Sequence, residues 1–436
     1  MVNATTLHHL RVTPYVDYAR LYIRVEHSTS AKASKDSVSR LRLPFPKTQT
    51  LLLDKSADEI PYCCAPEVKL QFPPPEPTAD ASHLVIGLAT TLSRLEKSLS
   101  SFAHWGGNTG ARFFAYVPPP TTKSEAKTNG SARIKEVESH AKALGLHLEV
   151  RTSDLEYNDR YFMLLKFLHV QKKPSTKWAV IMDDDTFFLS MPALLRRLEA
   201  LNHNDRHYLG GLSEDLLQIH NLGPIGFGGA GVFVSLALLD EMQPYLEVCL
   251  GWGEKYPTGD SRIAACILEA TGVQLDWEKN LHQLDMHGDA SGFFESGRPL
   301  PLSVHHWKSW FWTPMDKVSA VSKVCGDNCL LRRWRFEDGW YLTNGYSIVK
   351  YWDEKEWVGK KSETIEKTWW EEFQWDGRWD HSLGPLRPKD ERKASMKLEE
   401  AIVEKNRVRQ IYVRRGDAER NDRIMEIVWE KEDNPK

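Results

Sequence analysis

The chain has 436 residues, a net charge of −3 and 41% hydrophobic residues. This length allows two or three domains, or one large domain with an appendage, and the hydrophobic content suffices for a sizeable core. The near-neutral charge, without a long Lys/Arg cluster, argues against a nucleic-acid partner. The sequence encodes no run of about 18 apolar residues that would predict a membrane span, and residues 1–30 contain no signal-peptide-like apolar segment.

The first 80 residues show no regular pattern and are expected to be irregular. They end in a proline-rich stretch, residues 71–77, which predicts an extended linker because each proline fixes φ and lacks a backbone donor. Strands and helices then alternate, which indicates an α/β sheet covered on both faces. Strands are predicted at 84–89, 111–117, 147–151 and 178–182, and helices at 93–102 (with a capping box at 93–96), 134–144 and 161–170.

The residue pattern of the sequence changes after residue 330. Aromatic and polar residues alternate between 334 and 351, which predicts strands, and Asn344-Gly345 is typical of a hairpin turn. Residues 411–413 and 427–429 predict two more strands. The chain therefore divides into an irregular N-terminal region (1–80), an α/β domain (81–325) and a Trp-rich, β-containing C-terminal region (326–436).

Three consecutive carboxylates, Asp183, Asp184 and Asp185, directly follow the predicted strand at 178–182. Open α/β sheets bind ligands at the carboxyl ends of their strands, where clustered carboxylates hold Mg²⁺ or Mn²⁺ and the metal neutralises a diphosphate. The alternative is an acidic surface turn, which the preceding apolar strand makes less favoured. A haloacid-dehalogenase-type phosphotransferase is disfavoured because Thr186 stands one residue too early for that motif and the triplet lies deep in the chain.

Three further features carry candidate chemistry. Glycines at 226–231 let a backbone approach a ligand closely, although a tight structural loop before a strand is an equal alternative. Asp260 is expected near a helix N-terminus, and on its own a plain N-cap is the better interpretation. One histidine of a cluster could complete a metal shell with a neutral imidazole. The cluster comprises His282, His287, His305 and His306.

Taken together and in order, these features resemble the Fringe-like glycosyltransferases of family 31, and the fungal branch most of all. The resemblance covers roughly residues 80–350. It rests on the strings Trp178-Ala-Val-Ile-Met-Asp-Asp-Asp-Thr-Phe-Phe, Gly226-Phe-Gly-Gly-Ala-Gly-Val-Phe, Gly259-Asp-Ser-Arg, Leu281-His-Gln-Leu-Asp-Met-His-Gly-Asp and Ser303-Val-His-His-Trp-Lys. It implies a GT-A-type (Rossmann-like) mixed sheet flanked by helices, with a β-rich C-terminal appendage. It also implies a UDP-sugar donor, a glycan or glycoprotein hydroxyl as acceptor, Mn²⁺ (or Mg²⁺), and inversion that gives a β1,3 linkage.

The resemblance assigns roles to individual residues. Asp185 would ligate the metal, and Asp183 would join it there or support the nucleotide ribose. His306 would be the remaining metal ligand, with His305 or His287 as alternatives. The donor-binding residues would be Asp183, Asp184, Gly228, Gly229, Ala230 and Gly231.

Asp260 would be the general base, kept ionised by the dipole of its helix. The family's usual acidic pair is Gly259-Asp260 here, so one acid is missing. The family also has an N-terminal membrane anchor, whereas this chain encodes no membrane span. A carbohydrate-binding protein whose Trp-rich C-terminal part binds sugar, without catalysis, is the alternative function.

The resemblance implies the Golgi or secretory lumen, which sequons at Asn3 and Asn129 support slightly. It also implies a disulfide between Cys249 and Cys266. The short spacing of Cys325 and Cys329 suggests a second disulfide, although composition alone favours free thiols.

Overall fold

The computed structural model describes residues 7, 9–31, 38–53, 64–119, 130–286, 288–351, 365–366, 386–390 and 392–432. The sequons at Asn3 and Asn129 and the candidate ligand His287 lie outside the described residues. None of the described helices is long and apolar enough to cross a membrane.

The strands in chain order are β1 (Tyr15–His27), β2 (Val38–Arg40), β3 (Gln49–Leu52), β4 (Glu67–Phe72), β5 (Leu84–Ala89), β6 (Arg112–Val117), β7 (His147–Thr152), β8 (Trp178–Ile181), β9 (Phe187–Phe188), β10 (Tyr208–Gly211), β11 (Phe227–Ser235), β12 (Asp276–Trp277), β13 (Ser303–Val304), β14 (Arg333–Arg335), β15 (Trp340–Thr343), β16 (Ser347–Lys350), β17 (Ile365–Glu366), β18 (Leu386–Arg387), β19 (Ala394–Val403), β20 (Arg407–Arg414) and β21 (Asp422–Lys431). The α-helices are α1 (Leu92–Gly106), α2 (Gly130–Ala143), α3 (Tyr157–Phe162), α4 (Leu164–Val170), α5 (Met191–Glu199), α6 (Leu216–Leu222), α7 (Leu236–Met242), α8 (Leu246–Leu250), α9 (Gly259–Thr271), α10 (Ser291–Phe294), α11 (Met315–Ser319) and α12 (Ser322–Cys325), with 3₁₀ turns at Gln243–Tyr245 and Asp327–Cys329.

The central sheet carries the site. Within the described part of the chain it has seven strands in the order β12-β10-β11-β8-β5-β6-β7. Strands β7, β6, β5 and β8 run parallel, whereas β11 is antiparallel to both β8 and β10. The predicted fold class, a mixed α/β sheet flanked by helices with a β-rich C-terminal part, is confirmed.

The sequence of strand β5 is a continuous apolar run because the strand is buried on both faces. Leu84, Ile86 and Leu88 enter the core that also holds the apolar face of α1. Val85 and Ala89 point to the opposite face, into the core shared with α4.

A second sheet joins the two ends of the chain, and here the expectation that residues 1–80 are irregular is wrong. Strand β1 pairs in parallel with β21 over ten residues, and β3 and β4 pair with β1. Apolar and polar residues alternate along β1, with Val16 and Tyr18 buried. The pairing partner lies some 400 residues away, so no local turn signal accompanied this strand. The strands predicted around 334–351, 411–413 and 427–429 are confirmed in the same sheet.

Several local expectations need correction. The first helix begins after Thr91, whose side chain accepts from Arg94 N, rather than at a capping box on Ser93. The predicted helix at 161–170 is two helices, α3 and α4, separated at Met163. The predicted glycine loop at 226–231 is largely part of strand β11.

Both predicted disulfides are present. Cys249 and Cys266 join α8 to α9, and Cys325 and Cys329 close the end of α12. The interpretation of Cys325 and Cys329 as free thiols is therefore wrong.

Candidate active site

The carboxylate triplet lies at the carboxyl end of β8, where the sequence places it. The turn is held by Thr186, whose hydroxyl accepts from Asp183 N at 3.0 Å and donates to the Gly229 carbonyl at 2.9 Å. Because β5 ends beside β8, Thr90 reaches the same edge and its hydroxyl donates to Asp184. The edge of the sheet thus gathers three carboxyl groups, of which Asp184 and Asp185 are buried.

Asp184 is engaged by cations from two directions. Arg94 donates to both of its oxygens, at 2.7 and 2.8 Å. Lys308 Nζ lies 3.2 Å from Asp184 Oδ1 and also donates to the Asp184 carbonyl at 3.0 Å. Both bidentate and charge-assisted contacts of this kind hold a carboxylate firmly. Asp184 therefore anchors Arg94 and Lys308 at the rim of the site.

His305 faces the other two carboxylates. Its Nε2 lies 3.0 Å from Asp185 Oδ1 and 3.3 Å from Asp183 Oδ2. Its Nδ1 lies 3.1 Å from the Gln283 carbonyl, which can only accept, so Nδ1 carries a proton and Nε2 is directed at the carboxylates. Burial alone would lower the pKa of His305, but the charges of Asp185 and Asp183 outweigh it and raise that pKa.

His306, the preferred ligand from the sequence, lies beside His305, with ring centres 3.7 Å apart, but its nitrogens face other side chains. Its Nε2 lies 3.0 Å from Asp285 Oδ1, its Nδ1 lies 3.1 Å from Ser309 Oγ, and its ring stacks 3.9 Å from Trp310. One potential ligand atom from each of Asp185, His305 and His306 still falls within 4.8 Å of the others. The Nε2 atom of His305 faces Asp183 and Asp185, whereas that of His306 is bound to Asp285. The geometry therefore favours His305 over His306 as a metal ligand.

His282, the remaining described histidine of the cluster, does not join these groups. It is buried against Glu214, with Nδ1 3.0 Å from Oε1. The other oxygen of Glu214 accepts from the backbone of Leu284. Glu214 thus braces the chain on both sides of Gln283, the residue whose carbonyl orients His305.

Asp260 lies in the first turn of α9, but it is not the N-cap. Thr258 takes that position, and its hydroxyl accepts from Ser261 N. Asp260 Oδ1 instead accepts from Gly228 N at 3.2 Å. Burial and the negative charge of Asp183 raise the pKa of Asp260 to about 7. These two effects oppose the helix dipole, which was expected to keep this carboxyl ionised.

The glycines allow these side chains to come close. A Cβ atom at Gly228 would fall 1.5 Å from the Tyr161 hydroxyl and 2.8 Å from Asp260 Oδ1. A Cβ atom at Gly259 would fall 2.4 Å from Tyr161 Cδ1. The missing acid of the Gly259-Asp260 pair is thus explained, because the ring of Tyr161 occupies the space that a side chain at 259 would need.

The arrangement fits a divalent cation. Asp183, Asp185 and His305 offer carboxylate oxygen and imidazole nitrogen, a donor set that suits Mn²⁺ and also accommodates Mg²⁺. Asp183 Oδ1 is buried and has no hydrogen-bond partner among the residues that the structure describes, which is costly unless another group satisfies it. The Gln283 carbonyl supplies the outer contact that typically orients a ligating histidine.

Comparisons with known proteins bear on the same part of the chain. A family model described as "Protein of unknown function, DUF604" matches residues 219–327, a range that includes Gly228, Asp260 and His305. Chondroitin sulfate synthase 3 of Homo sapiens is 30% identical over 132 residues, covering 28% of this chain and 14% of that protein. The Mus musculus protein of the same name is 29% identical over 132 residues, with the same coverage. The chain thus spans a small part of these relatives' length.

Solved structures give a fainter likeness. The glycosyltransferase GlyE of Streptococcus pneumoniae TIGR4 superposes with a TM-score of 0.35 and 11% identity, covering 54% of this chain and 58% of that one. Mouse xyloside xylosyltransferase 1 gives a TM-score of 0.29 and 12% identity, covering 46% and 85%. Scores this low carry no argument.

Sequence reasoning missed several residues of the site. Arg94, Tyr157 and Tyr161 come from helices whose apolar spacing indicates packing, so no signal marked them. The ring of Tyr157 is half-exposed, and the pKa of its phenol is raised, first by Asp183, then by burial and by Asp260. Asp285 and Gln283 lie within the string 281–289, and the family resemblance of this string was the one signal that could have indicated them.

Proposed function

We propose that this chain is a metal-dependent glycosyltransferase that moves a sugar from a UDP-sugar to a hydroxyl of a glycan or glycoprotein. The observation that carries the proposal is the convergence of Asp183, Asp185 and His305 with a partly buried carboxyl, Asp260, at one edge of the sheet. The identity with chondroitin sulfate synthase 3 supports the same class of reaction. The fold is proposed to be of the GT-A type, as the resemblance to the Fringe-like family implies.

Asp260 is proposed as the general base. The acceptor oxygen forms a bond to the anomeric carbon as the bond from that carbon to the UDP oxygen breaks, and the hydroxyl proton passes to Asp260. A single displacement of this kind inverts the sugar carbon and needs no covalent intermediate. A carboxyl pKa of about 7 is well matched to proton transfer at neutral pH, since a base works best when its pKa lies near the working pH.

Asp183, Asp185 and His305 would hold the cation. When bound, Mn²⁺ or Mg²⁺ supplies positive charge that offsets the charge growing on the leaving diphosphate. Ser309 donates to Asp185 Oδ2 at 3.0 Å and Gln283 accepts from His305, so both groups are fixed in advance. Arg94 and Lys308, held on Asp184, add positive potential at the same edge.

We also propose the linkage that the enzyme forms and the compartment in which it matures. A β1,3 linkage follows from the resemblance to family 31. Two disulfides, Cys249–Cys266 and Cys325–Cys329, support maturation in an oxidising compartment such as the secretory or Golgi lumen, because such bonds are rare in reducing compartments.

A donor screen tests the proposal. The purified chain is incubated with a panel of UDP-sugars and simple glycoside acceptors, and UDP release is compared in MnCl₂ and in EDTA. We expect release from at least one donor in MnCl₂ and its loss in EDTA and in Asp185→Asn. Asp276→Asn, the same chemical change on the distant strand β12, serves as the control and retains the activity. Absence of UDP release from every donor would reject the proposal and favour a carbohydrate-binding protein without catalysis. Full activity of Asp185→Asn would reject the proposed metal site at Asp185.

A further inference from the structure

A cavity of about 150 Å³ lies between the central domain and the second sheet. Its walls come from residues 288–290 and 311–314 on one side and from the β15–β16 turn and β19 on the other. Asp289, Trp312, Tyr346 and Lys397 supply the groups relevant to a ligand. The volume is below the range of about 300–1,000 Å³ usual for larger ligands, so the cavity admits one small unit.

This cavity is connected to the candidate active site through Trp310. Trp310 stacks on His306 at 3.9 Å, with the two rings nearly parallel at 7°. The carbonyl of Trp310 accepts from Gly288 N at 3.3 Å, and Gly288 lines the cavity. Trp310 therefore contacts both a residue of the cavity wall, Gly288, and His306, the neighbour of the proposed ligand His305.

The chemistry of the walls suits a sugar ring. The indole of Trp312 is 83% exposed, so its apolar face is free to stack on the C–H face of a pyranose. Tyr346 forms a buried wall, and Lys397 Nζ lies 4.2 Å from the centre of its ring. Lys397 can donate to hydroxyl groups and Asp289 can accept from them. A large aromatic surface with a few polar groups is the usual composition of a small-molecule site.

The charges around the cavity are balanced. Glu295 is buried and pairs with Lys397 at 3.2 Å and with Lys393 at 3.1 Å. Asp289 Oδ2 lies 4.0 Å from Lys389 Nζ. Since each cation near the cavity already faces a carboxylate, the walls suit neutral hydroxyl groups better than an anionic sugar.

From these contacts we infer that the cavity is an acceptor subsite, which binds one neutral sugar residue of the acceptor glycan against Trp312. The acceptor role rests on the proposed glycosyl transfer, but sugar binding by the cavity does not. The site lies apart from the proposed metal ligands and from Asp260, so its contribution is to affinity for the acceptor.

Saturation-transfer NMR tests this inference, because it detects weak sugar binding without any turnover. The probes are methyl β-D-galactopyranoside, methyl N-acetyl-β-D-galactosaminide and, as an anionic comparison, methyl β-D-glucuronide. Each is titrated with and without UDP and MnCl₂ against the wild type, Trp312→Ala, Trp312→Phe and the control Tyr245→Ala, an exposed aromatic residue outside the cavity.

We expect a neutral glycoside to bind the wild type and Tyr245→Ala equally. Trp312→Ala should weaken binding at least about tenfold, the usual size for loss of an aromatic anchor, and Trp312→Phe should restore most of it. Unchanged binding in Trp312→Ala, binding confined to the glucuronide, or no binding by the wild type would overturn the inference. Failure of the donor screen with sugar binding intact would instead reject only the acceptor role.

Discussion

The backbone at Gly229 touches the imidazole ring of His305. A Cβ atom at position 229 would lie 2.2 Å from both Cε1 and Nδ1 of that ring. Any side chain at this position would therefore displace the ring. Gly229 is thus part of the geometry that directs His305 at Asp185, and this contact gives the first prediction.

Gly229→Ala should push His305 away from Asp183 and Asp185 and weaken Mn²⁺ binding at least about tenfold, the lower limit for disturbing the surroundings of a metal ligand. Calorimetric titration with MnCl₂ measures the affinity, and circular dichroism checks the fold. Gly251→Ala is the control, since a Cβ atom there would meet the Val248 carbonyl at 3.3 Å, far from the site. Equal Mn²⁺ affinity in the two variants would show that this contact does not position the histidine.

The two neighbouring histidines should differ in their effect on metal binding. His305→Gln removes the imidazole that faces Asp183 and Asp185, so Mn²⁺ affinity should fall by more than the roughly 10–100-fold typical of outer contacts. The loss of Mn²⁺ affinity in His306→Gln should stay within that range, because His306 is held by Asp285 and Ser309. The same titration compares both variants. A larger loss in His306→Gln would restore the assignment suggested by the sequence.

The disulfides Cys249–Cys266 and Cys325–Cys329 should contribute unequally to stability. Cys249 and Cys266 are separated by 17 residues and Cys325 and Cys329 by four. Loop-closure entropy then gives about 3 kcal/mol for the first and about 2 kcal/mol for the second. Urea unfolding of the two double Cys→Ala variants measures each loss in the free energy of unfolding. A variant as stable as the wild type would show that its bond does not restrain the unfolded chain.

The pH dependence of turnover should follow the ionisation of the Asp260 carboxyl. Only the ionised carboxylate accepts a proton, so kcat/KM should rise with pH as Asp260 loses its proton. The midpoint of this rise, the limb of the profile, should lie above the ordinary carboxyl pKa of 3.8 and no higher than about 7. A cation held by Asp183 offsets part of the repulsion between the two carboxylates, so added MnCl₂ should move the limb downward. The residual activity of Asp260→Asn should lack this limb. A profile without it in the wild type would argue that another group takes the proton.

The part of the site most visible in the sequence was the carboxylate triplet. The run at 178–181 is apolar throughout because β8 is buried, and the acids that follow it must then lie at the sheet edge. The choice between His305 and His306 was not accessible in this way. It depends on the left-handed backbone at His306, with φ of 57°, and on the carbonyl of Gln283.

Contacts between segments that are distant in the sequence could not be predicted from local patterns either. Tyr161 lies on an apolar helix, and its proximity to Gly228, Gly259 and Asp260 arises only when α3 packs on α9. Strand β1 has a readable alternation, but its partner β21 lies at the other end of the chain. Local patterns predicted the strands and helices of the α/β domain between residues 84 and 182, whereas long-range pairings brought Tyr161 to Asp260 and joined the two ends of the described chain.

The proposed mechanism is tested most directly by Asp260→Asn, with turnover and UDP–Mn²⁺ affinity measured on the same purified protein. Asparagine keeps the oxygen that accepts from Gly228 N but removes the proton acceptor. The base role predicts a fall in kcat of roughly 10²–10⁴-fold with nearly unchanged UDP–Mn²⁺ affinity. A variant that binds UDP–Mn²⁺ normally and turns over near the wild-type rate would contradict that role.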